Sequence, residues 1–121
     1  ALRGESTWLS QAMAQLATSN HTPGLDAARG LGWMVLPDDA AAQAAGPSPI
    51  GPRSCGELLS PGSFGHTGFT GTSLWIDPKR EFVFVLLTNR VHPHTRTGHD
   101  VVRARFHNAA IAALTRAGVT L

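Results

Sequence analysis

Between Ser63 and Thr88 three strand-like segments follow one another with connections too short for anything but a reversal of direction. They are Ser63 to Gly68, Thr72 to Asp77 and Glu81 to Thr88. Parallel neighbours would need a crossover of a dozen or more residues. Here the links are a glycine-bearing turn and Asp77-Pro78-Lys79-Arg80, which sets Pro at a favoured turn position. The segment therefore predicts an antiparallel meander, and the rest of the chain must pack on it.

Two helix-like stretches flank the meander. Ser6 or Thr7 offers a cap for a first helix with Trp8, Leu9, Ala12, Met13 and Leu16 on one apolar face, ending near Thr18. Asp100 offers a cap for a last helix with Val102, Phe106, Ala109, Ala110, Ala113 and Leu114 on one side, stopped by Gly118. After a turn-rich connector, LGWMVL reads as a buried strand that Pro37 ends. Residues 38–62 shift to Ala, Gly, Pro and Ser without periodicity and read as a flexible rim loop. The expected fold class is α+β: three antiparallel strands with helices on one face, spanning 1–121 and incomplete as a domain.

Composition removes several function classes. A formal net charge of +2 with scattered basic residues gives no phosphate-binding face, so nucleic acid is not an expected partner. The longest apolar run, Phe82 to Leu87, is too short to span a bilayer, so no transmembrane segment is expected. The single Cys55 excludes an internal disulfide and reads as a neutral rim or core residue. His92, His94 and His99 lack the carboxylate or thiolate that would complete a metal set, and no metal or other cofactor is expected. Trp33 and Trp75 sit in apolar strands and read as core. Arg90, Arg96, Arg103 and Arg105 read as solvated surface.

The glycines of the meander carry the functional question. Gly65, Gly68 and Gly71 lie close together in a strand and its turn, where glycine packs nothing and costs entropy. Either something approaches this backbone closely, or the glycines only shape bulges and a hairpin. GHTGFTGTSLWIDP followed by FVFVLLTNRVHP, with the upstream NHTPGLDAARGLGW, resembles the carboxy-terminal part of serine hydrolases of the β-lactamase and penicillin-binding-protein type, in particular the class C-like carboxypeptidases and esterases. His66-Thr67-Gly68 stands where that family has Lys-Thr-Gly.

The resemblance implies that this strand walls a cleft and pairs with a peptide-like or other small acyl substrate as an added strand. It implies that Thr67 offers its hydroxyl to the substrate and that Gly68 keeps the wall bare. The backbone N–H of Phe69 would then be one of two oxyanion-hole donors, and His66 would tune or relay protons near the nucleophile. An imidazole lacks the lasting positive charge of a lysine at neutral pH, which weakens the anchoring of anionic substrates. The other family motifs have no counterpart. The one lysine, Lys79, is preceded at three positions by Ile76, so no Ser-x-x-Lys exists, and the chain holds no tyrosine. The expectation is a chain inert alone, partnered by a missing amino-terminal region of the same enzyme, with cell-envelope placement implied by the resemblance. The competing reading is a non-catalytic peptide- or cell-wall-binding module that keeps the same edge.

Overall fold

The computed structural model describes residues 8–37 and 52–119. The expected cap residues Ser6 and Thr7, and residues 38–51 of the expected rim loop, fall outside them. Four strands form one antiparallel sheet in the order β1 (Met34–Val35), β2 (Phe64–Thr67), β3 (Ser73–Asp77) and β4 (Phe82–Leu86). The α+β class and the meander hold, and the strand count rises from three to four. LGWMVL supplies the additional strand, but only through its fourth and fifth residues, which pair Met34 with Gly65 and Val35 with Phe64.

The meander register puts Gly65 opposite Trp75 and Trp75 opposite Phe84, so these three share a face. That face is the core. Trp75 is 1% exposed and packs with Met34, Cys55, Leu59, Phe84 and Ile111. A Cβ at Gly65 would fall on the Leu74 carbonyl oxygen and the Trp75 ring. The bare backbone at 65 is therefore occupied from inside, by indole.

Helix α2 (His99–Arg116) covers this face. Gly98, left-handed at φ 74, precedes it, and Asp100 stands in its first turn, where a carboxylate complements the helix dipole, rather than at the cap. Gly118 ends it in the left-handed region, as the sequence implies. The buried stripe differs from the apolar one read in the sequence. It is Arg103, His107 and Ile111, supported by Ala110 and Leu114, while Val102 is exposed. Polar residues occupy two of the three buried turns because each meets a polar partner. His107 Nε2 lies 3.1 Å from Ser73 Oγ, and Arg103 reaches the β2–β3 turn.

Within 52–62, Ser54, Cys55, Gly56, Leu59 and Ser60 are buried, whereas Glu57, Leu58 and Pro61 are exposed. Cys55 and Leu59 are buried, and burial above all raises the Cys55 thiol to about 12, an inert neutral group. Asn108 of α2 accepts from the Glu57 and Leu58 amides and bonds the Glu57 carboxylate. At the other end, the buried Asp77 carboxylate accepts from Ser60 N–H at 3.0 Å, Arg80 N–H at 3.1 Å and the Arg80 guanidinium at 2.9 Å. Burial pushes the Asp77 carboxyl up, but these donors outweigh it and hold the carboxyl below its ordinary range.

The first helix is shorter than its sequence pattern. Helix α1 (Gln11–Thr18) is capped by the Ser10 side chain on Met13 N–H, and it buries only Ala14. Trp8 precedes the helix and is 83% exposed, and Met13 and Leu16 are half exposed. Among the described residues the far face of the sheet is similarly uncovered at β4, where Val83 and Val85 are exposed and no further strand pairs.

Two acid transitions follow. Burial first, and the Arg103 guanidinium second, hold the His107 imidazole down to about 4. The unfolded chain takes this proton near pH 6.5, so the contribution is complete above that value and drains as pH falls toward 4, by roughly 3 kcal/mol. Asp77 has the usual carboxylate sign: its contribution is complete above about pH 4 and lost as pH falls further. Urea midpoints should decline from pH 7 to pH 4 in the native sequence and decline less in His107→Gln. Asp77→Asn should cost about 3 kcal/mol at pH 7, because it leaves buried donors facing an amide. An unchanged midpoint would remove Asp77 as the anchor of residues 58–60. The uncovered β4 edge with exposed Val83 and Val85 should make the chain self-associate. Light scattering after size exclusion should give a mass above 12.8 kDa that returns to the monomer in Val85→Lys.

Candidate active-site edge

The length of β1 decides what part of β2 is accessible. Chain residues 31–33 would lie opposite 66–68 if β1 continued, but they turn back instead. Gly32 takes φ 78, Gly30 N–H donates to the Trp33 carbonyl at 2.9 Å, and Arg29 bridges to Met34. Leu31 is exposed in that turn, and Trp33 is half-buried against the edge of Phe64, partly meeting the core reading given to it. β1 therefore covers Phe64 and Gly65 and stops short of His66-Thr67-Gly68.

Pairing with β3 fixes which groups face this open stretch. Gly68 N–H donates to the Thr72 carbonyl at 2.8 Å, so strand alternation turns the Thr67 backbone groups the other way, toward the open edge. The side chains of the two motif residues diverge. Thr67 shares the α2-facing side with Ser73 and Trp75, whereas His66 shares the opposite face with Leu74. His66 returns to the edge through its ring: Nδ1 is 2.8 Å from the Thr67 carbonyl oxygen. A carbonyl only accepts, so Nδ1 carries the proton and Nε2 is left as an acceptor in the neutral ring. The Thr67 hydroxyl has no hydrogen-bond partner among the described residues.

Beyond Gly68 the chain turns, with Gly71 N–H on the Gly68 carbonyl at 3.0 Å. Gly71 has φ 97, and a Cβ there would strike His99 and Thr88, while one at Gly68 would strike the Thr72 hydroxyl. The glycines of this turn thus answer the hairpin's own neighbours. Four successive carbonyls are claimed from within. Gly68 O accepts from Arg103 Nη2 at 2.7 Å, Phe69 O from Arg90 Nε at 2.6 Å, Thr70 O from Arg90 N–H at 2.9 Å, and Gly71 O from Arg103 Nε at 3.0 Å. The Phe69 N–H finds no acceptor among the described residues. Its ring, 75% exposed, lies under the Arg90 guanidinium at 5.0 Å.

Arg90 and Arg103 are the residues that sequence reading missed, having taken both for solvated surface. Arg103 is buried and is paired with Asp100 at 2.7 Å, and Arg90 also closes the 90–96 loop through the Arg96 carbonyl at 3.0 Å. The signal for Arg103 was its spacing of four from His107 and eight from Ile111, one face of a helix. Arg96 and Arg105 are exposed, as expected. His92 and His94 are exposed on the loop, His99 pairs with the Thr88 hydroxyl at 3.1 Å, and among the described residues no three metal-ligating side chains gather. No helix among them is long and apolar enough to cross a membrane.

Known proteins resemble this chain in sequence and fold. A putative D-alanyl-D-alanine carboxypeptidase of Salmonella gallinarum is 43% identical over 67 residues, covering 55% of this chain and 13% of that protein. A protein of the same description from Escherichia coli K12 is 40% identical over 67 residues, with the same shares. The chain thus spans about an eighth of the length of these relatives. A crystal structure of a β-lactamase from Mycobacterium bovis superposes with a TM-score of 0.67 over 90% of this chain and 39% of its own, at 23% identity, a likeness of fold. A sequence model described as Beta-lactamase matches residues 2–109, which is most of the chain. The chain belongs to the beta-lactamase family.

Proposed function

We propose that this chain supplies one wall of an acyl-transfer serine hydrolase site, with the nucleophile and its base coming from a region outside these 121 residues. The observation that carries the reading is the conjunction at one edge. Among the described residues no strand pairs with the outer side of His66-Thr67-Gly68 where β1 ends, and the next residue's N–H has no acceptor among them. An extended acyl substrate added to this edge would meet the Thr67 backbone as a neighbouring strand. As the serine oxygen bonds the acyl carbon, the carbonyl oxygen takes up negative charge, which Phe69 N–H is suited to receive as one of two donors. The leaving group departs with a proton, and water then releases the acyl group and restores the serine. His66 Nε2, unprotonated in the neutral ring, can accept a proton or a hydrogen bond from that chemistry.

The carboxypeptidase description of the relatives makes a peptide ending in D-alanyl-D-alanine the first substrate to try. The His in the family's Lys position weakens the anchoring of any substrate carboxylate, that of a terminal D-alanine included, so esters and amides without one are the second class to try. Envelope placement is part of the same proposal.

The isolated chain should neither hydrolyse p-nitrophenyl esters and chromogenic lactams nor be acylated by them, since it has no Ser-x-x-Lys and no tyrosine. A burst of acylation by this polypeptide, abolished by a serine-directed inhibitor, would sink the reading. In the full-length hydrolase, Thr67→Val should lower kcat/KM by about ten- to a thousandfold, the range for a lost alignment or transition-state hydrogen bond. His66→Lys should raise kcat/KM for carboxylate-bearing substrates relative to neutral ones. A constant ratio would take His66 away from the substrate. If the full-length protein binds peptides but never turns them over, the chain is a binding module.

A further inference from the structure

We infer that Arg103 is a positioning residue for this site: from α2 it fixes the turn after His66-Thr67-Gly68 so that Phe69 N–H faces the open edge. The inference rests on the hydrolase reading for its catalytic consequence but not for its geometry. Arg103 is 5% exposed and spends its donors in three directions. Nη2 goes to Gly68 O at 2.7 Å, Nε to Gly71 O at 3.0 Å, and Nη1 to Asp100 Oδ1 at 2.7 Å.

These bonds span the turn. Gly68 and Gly71 are its first and last residues, and Phe69 and Thr70 are the peptide units between them. A peptide plane is rigid, so pinning the Gly68 carbonyl inward fixes the plane that contains the Phe69 N–H and points that N–H the opposite way. The Gly71 N–H holds the same carbonyl at 3.0 Å, and the guanidinium, bonded to both ends of the turn, adds the lateral restraint that sets the direction of the amide. Arg90 holds the next carbonyl, Phe69 O, at 2.6 Å, which restrains the following plane in the same sense. A lysine at 103 presents one ammonium on a flexible stem and cannot hold both carbonyls and Asp100 in a fixed fork.

The requirement on a transition-state donor is directional. Misplacing one by a fraction of an ångström weakens the oxyanion bond while leaving the ground-state complex nearly intact. Loss of Arg103 should therefore appear in kcat and not in KM. A merely structural role would instead scale with stability.

The test compares Arg103→Lys with Ser73→Ala in the full-length hydrolase. Ser73 bonds His107 in the same buried patch and touches none of the turn carbonyls, so it controls for general loosening. With 15N-phenylalanine labelling, the Phe69 amide is assigned by its loss in Phe69→Leu. Arg103→Lys should displace that resonance and lower kcat by about ten- to a hundredfold with KM within about twofold. Ser73→Ala should do neither, at a matched loss of melting temperature. An unmoved Phe69 resonance, or a fall in kcat no greater than that of Ser73→Ala, overturns the inference. If the native full-length protein is not acylated by any substrate and the resonance still moves, the hydrolase reading fails and the positioning role stands.

Discussion

Helix α2 holds the sheet by three side chains one turn apart, and each does something different. Ile111 joins the apolar core with Trp75, Cys55 and Leu59, His107 meets the first residue of β3, and Arg103 reaches past the strand end to the turn carbonyls. A purely apolar stripe would seat the same helix at comparable cost, but it would leave the Gly68 and Gly71 carbonyls without these interior donors. The polar stripe couples the position of the helix to the shape of the turn. Packing and site geometry are therefore one problem in this protein.

That coupling explains why the meander was legible in the sequence and α2 only in part. Strand segments, the Asp77-Pro78 turn and the Gly118 stop are local signals, decided by neighbours within a few residues. The Trp75 core position likewise follows from alternation. The buried face of α2 is a tertiary property. Arg103 and His107 are polar letters whose burial depends on Ser73 and the β2–β3 turn, more than thirty positions away in the sequence, and an apolar template selects Val102 and Ala109 in their place. The burial of the backbone around Cys55 is hidden from the sequence for the same reason. Its composition resembles a loop, yet Asn108 and Asp77 satisfy its amides from two different elements, which allows an irregular backbone to be buried.

The candidate site divides along the same line. The motif His66-Thr67-Gly68 is visible as letters, and its strand is visible as a pattern. What the letters do not convey is that the two side chains leave on opposite faces and that the imidazole comes back to the edge through the Thr67 carbonyl. Nor do they reveal that glycine at 65 answers Trp75 and glycine at 71 answers His99 and Thr88. Of the two readings given for these glycines, neighbours within the fold account for those at 65 and 71. In the proposed function, what a substrate would meet is the backbone of the edge and not a gap left by missing side chains.

That opening depends on where β1 stops, and the stop is local. The pairing of β1 with β2 would run on to residues 66–68 if 31–33 stayed extended, because each step in an antiparallel register moves the two chains in opposite directions. Gly32 at φ 78 takes the left-handed conformation that reverses the chain, and Arg29 then pairs with Met34 on the outer side of β1. With its outer side engaged and its start bent away, β1 cannot lengthen. A residue with a β-carbon at 32 would favour the extended form, and position 32, opposite Thr67 in that register, would then consume the outward Thr67 backbone groups that an added substrate strand needs. The reach of β1 along the Thr67 edge is thus limited at a glycine thirty-five positions earlier in the sequence.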